Sequence, residues 1–446
     1  MNAPQSAAAL ALPPHFSRRD GRLFIEELAA AELAAQFGTP CYVYSKAALL
    51  ENFAAWQDAC KRHYGHGETL VCYALKANSN LAIIDLLARR GAGFDIVSKG
   101  ELERVLAAGG PELAGRVIFS GVGKTREELR FALMQGIRCF NVESVSELHH
   151  LDEVARACGR SAPVSLRVNP DVDARTHPYI STGLKENKFG VAFDEAFAGY
   201  RLAATLPGLR VVGIDCHIGS QLLDDAPLMA ALDKLIDLVD RLAAEGIVIH
   251  HLDLGGGIGI RYGDEAPGER PVVIDEYLKK VFARIDAWRT RRHAGQPLAV
   301  MFEPGRSLVG NAGALLATVE VLKPGAVKNF AVVDAAMNDL MRPALYQAFH
   351  AVVPAAARPE GRPAEWDIVG PVCESGDWLA RGRTLTLAEG DVLAILSAGA
   401  YGMSMASNYN TRPRPAEVMV DGGTAHVIRE REQAAQIFAA ERLLPR

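Results

Sequence analysis

A lysine at the end of an apolar run is the first residue of this chain whose position asks for chemistry. Val71-Cys72-Tyr73-Ala74 reads as a buried strand, apolar on both faces, and Lys76 follows it almost at once. On local sequence alone the more ordinary reading is a lysine that snorkels to solvent along its stem. The sharper one is an amine taken out of water, the state a Schiff-base lysine needs. Further on, Leu252-Asp253-Leu254-Gly255-Gly256-Gly257 places three glycines after a strand, where backbone N–H groups can close on an anion without interference from Cβ. A plain glycine turn is the alternative. The run does not match a dinucleotide-binding fingerprint, because Arg261 to Pro271 is a polar loop and not a helix. Glu303 lies directly before Pro304, which forces it toward an extended conformation and fixes the direction of its carboxylate. His217, in Cys216-His217-Ile218-Gly219-Ser220-Gln221, is either a structural histidine or one placed to lie flat on a ring.

Together these types point to one cofactor. A phosphate held by Gly256 and Gly257 with Gly305-Arg306, a strand-end lysine and a fixed acid suit pyridoxal 5'-phosphate, joined to Lys76 with its pyridine nitrogen on Glu303.

Such residues need a scaffold that brings them to one rim. Strand-like runs alternate with helical periodicity to about residue 303, over Leu70–Ala74, Phe94–Val97, Val117–Ser120, Cys139–Val142, Val164–Val168, Val211–His217, Leu252–Leu254 and Leu298–Phe302. Eight strands alternating with helices over about 250 residues predict a PLP-binding (β/α)8 TIM barrel, with a doubly wound sheet as the alternative. A barrel builds its site from residues just past its strand ends. Those positions give Lys76, Asp95 with Ser98, Ser120, Glu143, Arg167 with Asn169, His217 with Ser220, the glycine triplet, and Glu303 with Arg306. Short strands punctuated by glycine and proline then predict a C-terminal β-rich domain, sandwich- or barrel-like. The expected organisation is a disordered tail over 1–20, a segment over 21–40 that adds a strand near Leu23 to Glu26 to the β domain, the barrel over 41–303 and the β-rich domain over 304–446.

Composition narrows the function classes. Lys plus Arg number 48 against 53 Asp plus Glu, without long like-charge runs, which argues against nucleic acid or a membrane surface as partner. Seven cysteines stand singly, with no metal-ligand spacing, and fit a reducing cytoplasm better than a disulfide framework. The alanine-rich start lacks the basic region and apolar core of a signal peptide, and no apolar run approaches the roughly 20 residues of a membrane helix.

The runs Tyr73-Ala74-Leu75-Lys76-Ala77-Asn78, His177-Pro178-Tyr179-Ile180-Ser181-Thr182-Gly183, Glu186-Asn187-Lys188-Phe189-Gly190, His217-Ile218-Gly219-Ser220-Gln221 and Glu303-Pro304-Gly305-Arg306 resemble those of the diaminopimelate decarboxylase family. That family belongs to the alanine racemase-like, fold-type III PLP enzymes, together with ornithine and arginine decarboxylases. The resemblance extends from about residue 22 to the C-terminus. It implies PLP-dependent decarboxylation of meso-2,6-diaminopimelate to L-lysine, with Lys76 as Schiff-base lysine, His217 on the ring and Glu303 on its nitrogen. It implies that Ser220, Gly257 and Arg306 serve phosphate and substrate, that Arg306, Arg342 and Tyr346 bind substrate carboxylate, and that Glu374 accepts the distal amine. Tyr401 is a further cofactor and substrate residue, and Cys373 corresponds to the proton donor. It also implies a homodimer with shared active sites, Cys373 and Glu374 belonging to the neighbour's site. Taken alone, Arg306 and Arg342 read as surface residues, Glu374 as a turn acid and Cys373 as an inert thiol. Arginine, ornithine or carboxynorspermidine as substrate, racemisation, and a non-catalytic PLP-binding protein are the competing readings.

Overall fold

The structure is a computed structural model and describes residues 11–173, 187–265, 270–292 and 298–446. The run His177 to Gly183, Glu186 and the first ten residues of the expected tail lie outside them. The chain divides into two compact units, one of Asn52–Ile260 and Arg270–Ser307, the other of Met1–Glu51, Arg261–Glu269 and Leu308–Arg446.

In the first unit eight parallel strands close on themselves: β1 (Thr69–Ala74), β2 (Gly93–Ile96), β3 (Val117–Phe119), β4 (Cys139–Val142), β5 (Ala162–Asn169), β6 (Leu209–Asp215), β7 (His251–Asp253) and β8 (Ala299–Phe302). Each pairs with the next, and β8 returns to β1 with Met301 opposite Leu70, which excludes the open doubly wound sheet. Strands covered on both faces must be apolar on both, and Phe94, Ile96, Ile118, Phe140, Leu166, Ile214, Leu252 and Phe302 are all fully buried. β6 shifts register between Val211 and Gly213, where a Cβ on Gly213 would lie 1.9 Å from His251 Nε2. The bulge therefore needs glycine for the histidine of β7 to pack.

The helices begin where the strand ends supply caps. The Ser144 hydroxyl accepts from Glu147 N–H, and Thr125 forms a capping box with Glu128 at the head of Arg126–Gln135. Ser98, a rim residue on the sequence reading, likewise spends its hydroxyl on the Glu101 N–H. It opens a helix and is not a group of the site.

The second unit holds a nine-stranded sheet. Its path runs Trp378–Leu385, Ala364–Val369, Phe330–Val333, Gly313–Lys323, Cys41–Ser45, Ala416–Asp421, Thr424–Arg429, with Val352–Pro354 and Val392–Ile395 paired off it. Tyr42, Tyr44, Leu315, Val333, Ile368 and Ile395 share its core. Cys41–Ser45, placed in the barrel by the sequence boundary at 41, pairs instead with Gly313–Lys323 and Ala416–Asp421. All five of its residues are buried, so it reads like a barrel strand. The expected tail over 1–20 also needs correction. Phe16–Arg19 pairs with Arg22–Ile25 across Asp20-Gly21, both at positive φ, the backbone a tight Asp-Gly hairpin requires. With Leu28–Ala29 these strands form a small sheet of their own; Arg22 bridges to Ala356.

Between β3 and β4 a buried cation fixes the rim. Lys124 Nζ donates to Gly121 O (2.7 Å), Asn141 O (2.8 Å) and Glu147 Oε1 (2.7 Å). Burial already pushes the Glu147 carboxyl up, with Lys124 opposing. Lys124→Met would leave that acid buried without its cation. We expect a loss of about 3–5 kcal/mol, measured by urea unfolding, larger at pH 8 than at about pH 5 because the acid escapes the penalty by protonation.

Candidate active site

Lys76 leaves β1 on a single 3-10 turn, Leu75–Ala77, and the turn is held from both sides. Asn78 Oδ1 accepts from Asn80 N (3.1 Å), Asn80 caps the following helix through Ala82 N (2.9 Å), and Tyr73 hydroxyl donates to Asn78 O (2.6 Å). Ala74 N–H donates to Pro304 O (3.1 Å), which ties the end of β1 to the loop after β8. Gly305 allows a close approach there, because a Cβ would come within 3.1 Å of Ala77 Cβ and 3.2 Å of Ala74 Cβ. Lys76 does not simply reach for water. Its side chain is only 34 % exposed and Nζ donates to Asp95 Oδ2 at 2.7 Å, an acid wholly buried at the end of β2.

Glu303 is held by donors on the neighbouring strand ends. Its Oε1 accepts from Ser120 Oγ (3.2 Å) and Asn141 Nδ2 (3.4 Å), and its own N–H donates to Gly255 O (2.7 Å). Asn141 is oriented in turn by the Ser165 hydroxyl, which donates to its Oδ1. Oxygens of Asp215, Asp253 and Glu303 all lie within 4.8 Å of one another. Burial first, then Asp253 and Asp95, push the Glu303 carboxyl well above the usual range, with Lys76 opposing. Burial likewise raises Asp253 to about 7. Asp95 Oδ1, Asp215 Oδ1 and Asp253 Oδ2 are buried without a hydrogen-bond donor.

The loops after β6 and β7 interlock. Gly256 N–H donates to His217 Nδ1 (3.2 Å), so that nitrogen is an acceptor and the ring is neutral with its proton on Nε2. Withdrawal from water, with Arg167 and Lys76 adding repulsion, holds His217 well below its ordinary 6.5. Gly255 N–H turns to Asp253 Oδ1 (3.0 Å). Two of the triplet's N–H groups thus find acceptors within these loops. A Cβ on Gly256 would lie 2.2 Å from Glu303 O, and one on Gly257 2.5 Å from Gly219 O, so both positions are closed to side chains. Arg306 is buried and directs Nε (3.2 Å) and Nη2 (3.1 Å) to Ser220 Oγ. Glu143 joins the rim together, accepting from Gly121 N (2.9 Å), Arg167 Nη1 (2.9 Å) and Gly190 N (2.8 Å).

The remaining expected residues belong to the other unit. Arg342 opens and Tyr346 closes the short helix Arg342–Tyr346, the first buried and the second half-buried. Cys373 and Glu374 are exposed; Cys373 Sγ lies 3.6 Å from Asn410 Oδ1, and Tyr409 hydroxyl donates to Glu374 Oε1. Tyr401 stands at φ 55°, a left-handed backbone that a bulky residue adopts only under constraint.

Comparison with known proteins agrees with this geometry. A family model described as pyridoxal-dependent decarboxylase, pyridoxal binding domain, matches residues 46–310. The chain is 57 % identical to diaminopimelate decarboxylase of Pseudomonas aeruginosa over 96 % of its own length and 99 % of that protein's. It belongs to the diaminopimelate decarboxylase family. Among solved structures of that family, the M. jannaschii enzyme in complex with L-lysine superposes with a TM-score of 0.91 at 39 % identity, covering 98 % of this chain and 99 % of the other. The Helicobacter pylori enzyme, also with L-lysine, gives 0.84 at 40 % identity over 92 % and 98 %.

The residues present fit the cofactor that the family model names. A protonated pyridine nitrogen supplies the donor and the positive charge that a buried group of acids requires, and the closed glycine positions leave backbone where a phosphate approaches. Sequence reasoning missed Asp215, Asp253 and Asn141. The signal was present, since Gly213-Ile214-Asp215 and His251-Leu252-Asp253 put an acid inside an apolar strand, where an acid must have a partner. Asp253 keeps a proton in the folded chain that the unfolded chain releases from its ordinary 3.8 upward, so its stabilising contribution is lost as pH rises through about 7. Asp253→Asn keeps the acceptor for Gly255 and cannot ionise. The variant's advantage in Tm over the parent, both stripped of cofactor, should grow from about pH 4 to about pH 7 and then level off. A difference independent of pH would set this assignment aside.

Proposed function

We propose that this chain is a carboxy-lyase that uses pyridoxal 5'-phosphate to convert meso-2,6-diaminopimelate to L-lysine and carbon dioxide, the last step of lysine biosynthesis. The observation that carries this is the full-length agreement with diaminopimelate decarboxylases, two of them solved with L-lysine, in a barrel whose strand ends hold a strand-end lysine and a fixed acid.

When bound, the cofactor supplies an electron sink for the pair left by the departing carboxylate. Everything else falls to side chains. Lys76 is the amine that holds the cofactor covalently, and Asp95 sets where that amine stands. Glu303, fixed by Ser120 and Asn141, would hold the ring nitrogen by accepting its N–H hydrogen bond as a carboxylate, because a cation beside it opposes the push of its acidic neighbours. His217, a neutral imidazole whose tautomer Gly256 fixes, would pack on the cofactor ring. Gly257, Ser220 and Arg306 would hold the phosphate, and Gly305 lets that loop approach β1. Arg306, Arg342 and Tyr346 bind substrate carboxylate, Glu374 takes the distal amine, and Tyr401 contacts cofactor and substrate. Cys373 delivers the proton that replaces the lost carboxylate.

We infer that the working form is a homodimer in which Cys373 and Glu374 complete the partner's site; the exposure of both in the single chain supports this. The cytoplasm is the compartment that suits seven free thiols, and among the described residues no helix is long and apolar enough to cross a membrane.

Carbon dioxide release with cofactor and meso-diaminopimelate tests the reading. We expect turnover faster than on L-ornithine or L-arginine, and the reverse order would overturn the substrate. Lys76→Ala should lose at least about 10³-fold in rate along with the visible absorbance of lysine-linked cofactor. A variant that keeps both would remove Lys76 from its role.

A further inference from the structure

The guanidinium of Arg342 is held by a chain of contacts that begins one strand away. Its Nη1 lies 2.7 Å from His350 Nε2, and both residues are buried, His350 completely. His350 Nδ1 in turn lies 2.8 Å from Leu396 O. A carbonyl only accepts, so Nδ1 carries the imidazole proton and Nε2 presents its lone pair to the arginine. The tautomer is thus fixed by the backbone, not left to choice. From the other side the Tyr262 ring packs on both partners, 4.6 Å from Arg342 Cζ and edge-on to the His350 ring at 5.1 Å between centroids. Arg383 Nη2 donates to the His350 carbonyl (3.2 Å) and pins the residue's backbone.

The support beneath this chain is itself constrained. Leu396 N–H donates to Ala351 O (2.8 Å), and the next residue, Ser397, takes a left-handed φ of 55°. Tyr401, four residues on, does the same. Strain of this kind persists only where the surroundings over-determine it, and here it sits in the segment that carries both the Leu396 carbonyl and Tyr401. Neither the imidazole nor the aromatic face carries negative charge. They set the direction of the guanidinium without cancelling it, as a residue meant for a carboxylate requires.

We propose that His350 and Tyr262 are positioning residues for Arg342, and that through it they set the affinity for the substrate carboxylate farther from the reacting centre. The proposal rests on the reading of Arg342 as a carboxylate binder. A guanidinium that must be ordered at each encounter binds its anion less well, so the loss falls on KM and not on kcat.

The test uses the holoenzyme. His350→Leu, which removes the acceptor at similar volume, should raise KM for meso-diaminopimelate about 10- to 100-fold, the worth of one hydrogen bond to a charged group. His350→Gln, whose Oε1 can stand near the position of Nε2, should recover most of that loss. If His350→Leu fails to fold by calorimetry, Tyr262→Leu replaces it, with the same expected direction. Arg342→Lys separates the proposal from its premise. KM raised by Arg342→Lys but not by His350→Leu or Tyr262→Leu overturns the positioning role and leaves Arg342 in place, whereas KM unmoved by all of them overturns both. In the double variant His350→Leu/Arg342→Lys the losses should fall short of additive, and full additivity would show two independent effects and overturn the proposal.

Discussion

Acids taken out of water at the inner ends of the barrel strands are the constraint on which the candidate site depends. Asp215, Asp253 and Glu303 bring oxygens within 4.8 Å of one another. Like charges at about 5 Å in an effective dielectric of about 20 repel by about 3 kcal/mol, more than two pKa units, so the three cannot all be ionised in the cofactor-free chain. The nearest cations are already engaged, Lys76 with Asp95 and Arg167 with Glu143. The arrangement favours a cation beside it. A protonated pyridine ring is such a cation, and beside it an acid raised by burial can serve as an anion.

The same cluster dictates the backbone around it. Asp253 draws the Gly255 N–H inward, Gly255 O takes the Glu303 N–H, and Gly256 N–H is left to orient His217. The acid of β8, the histidine after β6 and the glycines after β7 are therefore one hydrogen-bonded unit. Side chains at Gly256 or Gly257 would break it by collision with backbone carbonyls, which is a stricter demand than a turn makes. The glycine triplet is thereby held rigidly between His217 and Glu303.

The barrel was legible because its evidence is local. Eight two-sided apolar runs with helices between them admit few topologies, and the polar residue after each run marks the rim. The β-rich unit was legible in kind but not in extent. Cys41–Ser45 is as apolar as a barrel strand, and only its pairing with Gly313–Lys323, far along the chain, reveals its sheet. Phe16–Arg19 carried a usable Asp-Gly signal that a proline-closed, alanine-rich start obscured. Within the site, Lys76, His217, Glu303 and Arg306 stand after strand ends, where a reader looks. Asp215 and Asp253 are the last residues of their strands and not the first past them, and Asn141 matters only because the closed barrel brings it to Glu303. Their importance comes from convergence, which no linear pattern encodes.

The two units carry their candidate residues on different elements. The barrel places its groups at and just past strand ends, with left-handed backbone beside them at Asp171 (φ 52°) and Gln221 (φ 62°). The β-rich unit offers residues from loops, and left-handed non-glycine residues occur in those segments, among them Ser397 and Tyr401 in one and Asn410 and Thr411 in another. Asn410 turns its side chain to Cys373, and the neighbouring Tyr409 turns to Glu374. A β-branched threonine at φ 57° costs on the order of 1–3 kcal/mol, which a loop retains only if the rest of the unit enforces it. The nine-stranded sheet supplies that rigidity, with Tyr42 hydroxyl donating to Asp339 O (2.7 Å) and Asn338 N–H groups reaching Asp339 and Ser407 O near the strained turns. The sheet's part is thus mechanical. It keeps side chains on loops as well placed as strand ends keep those of the barrel.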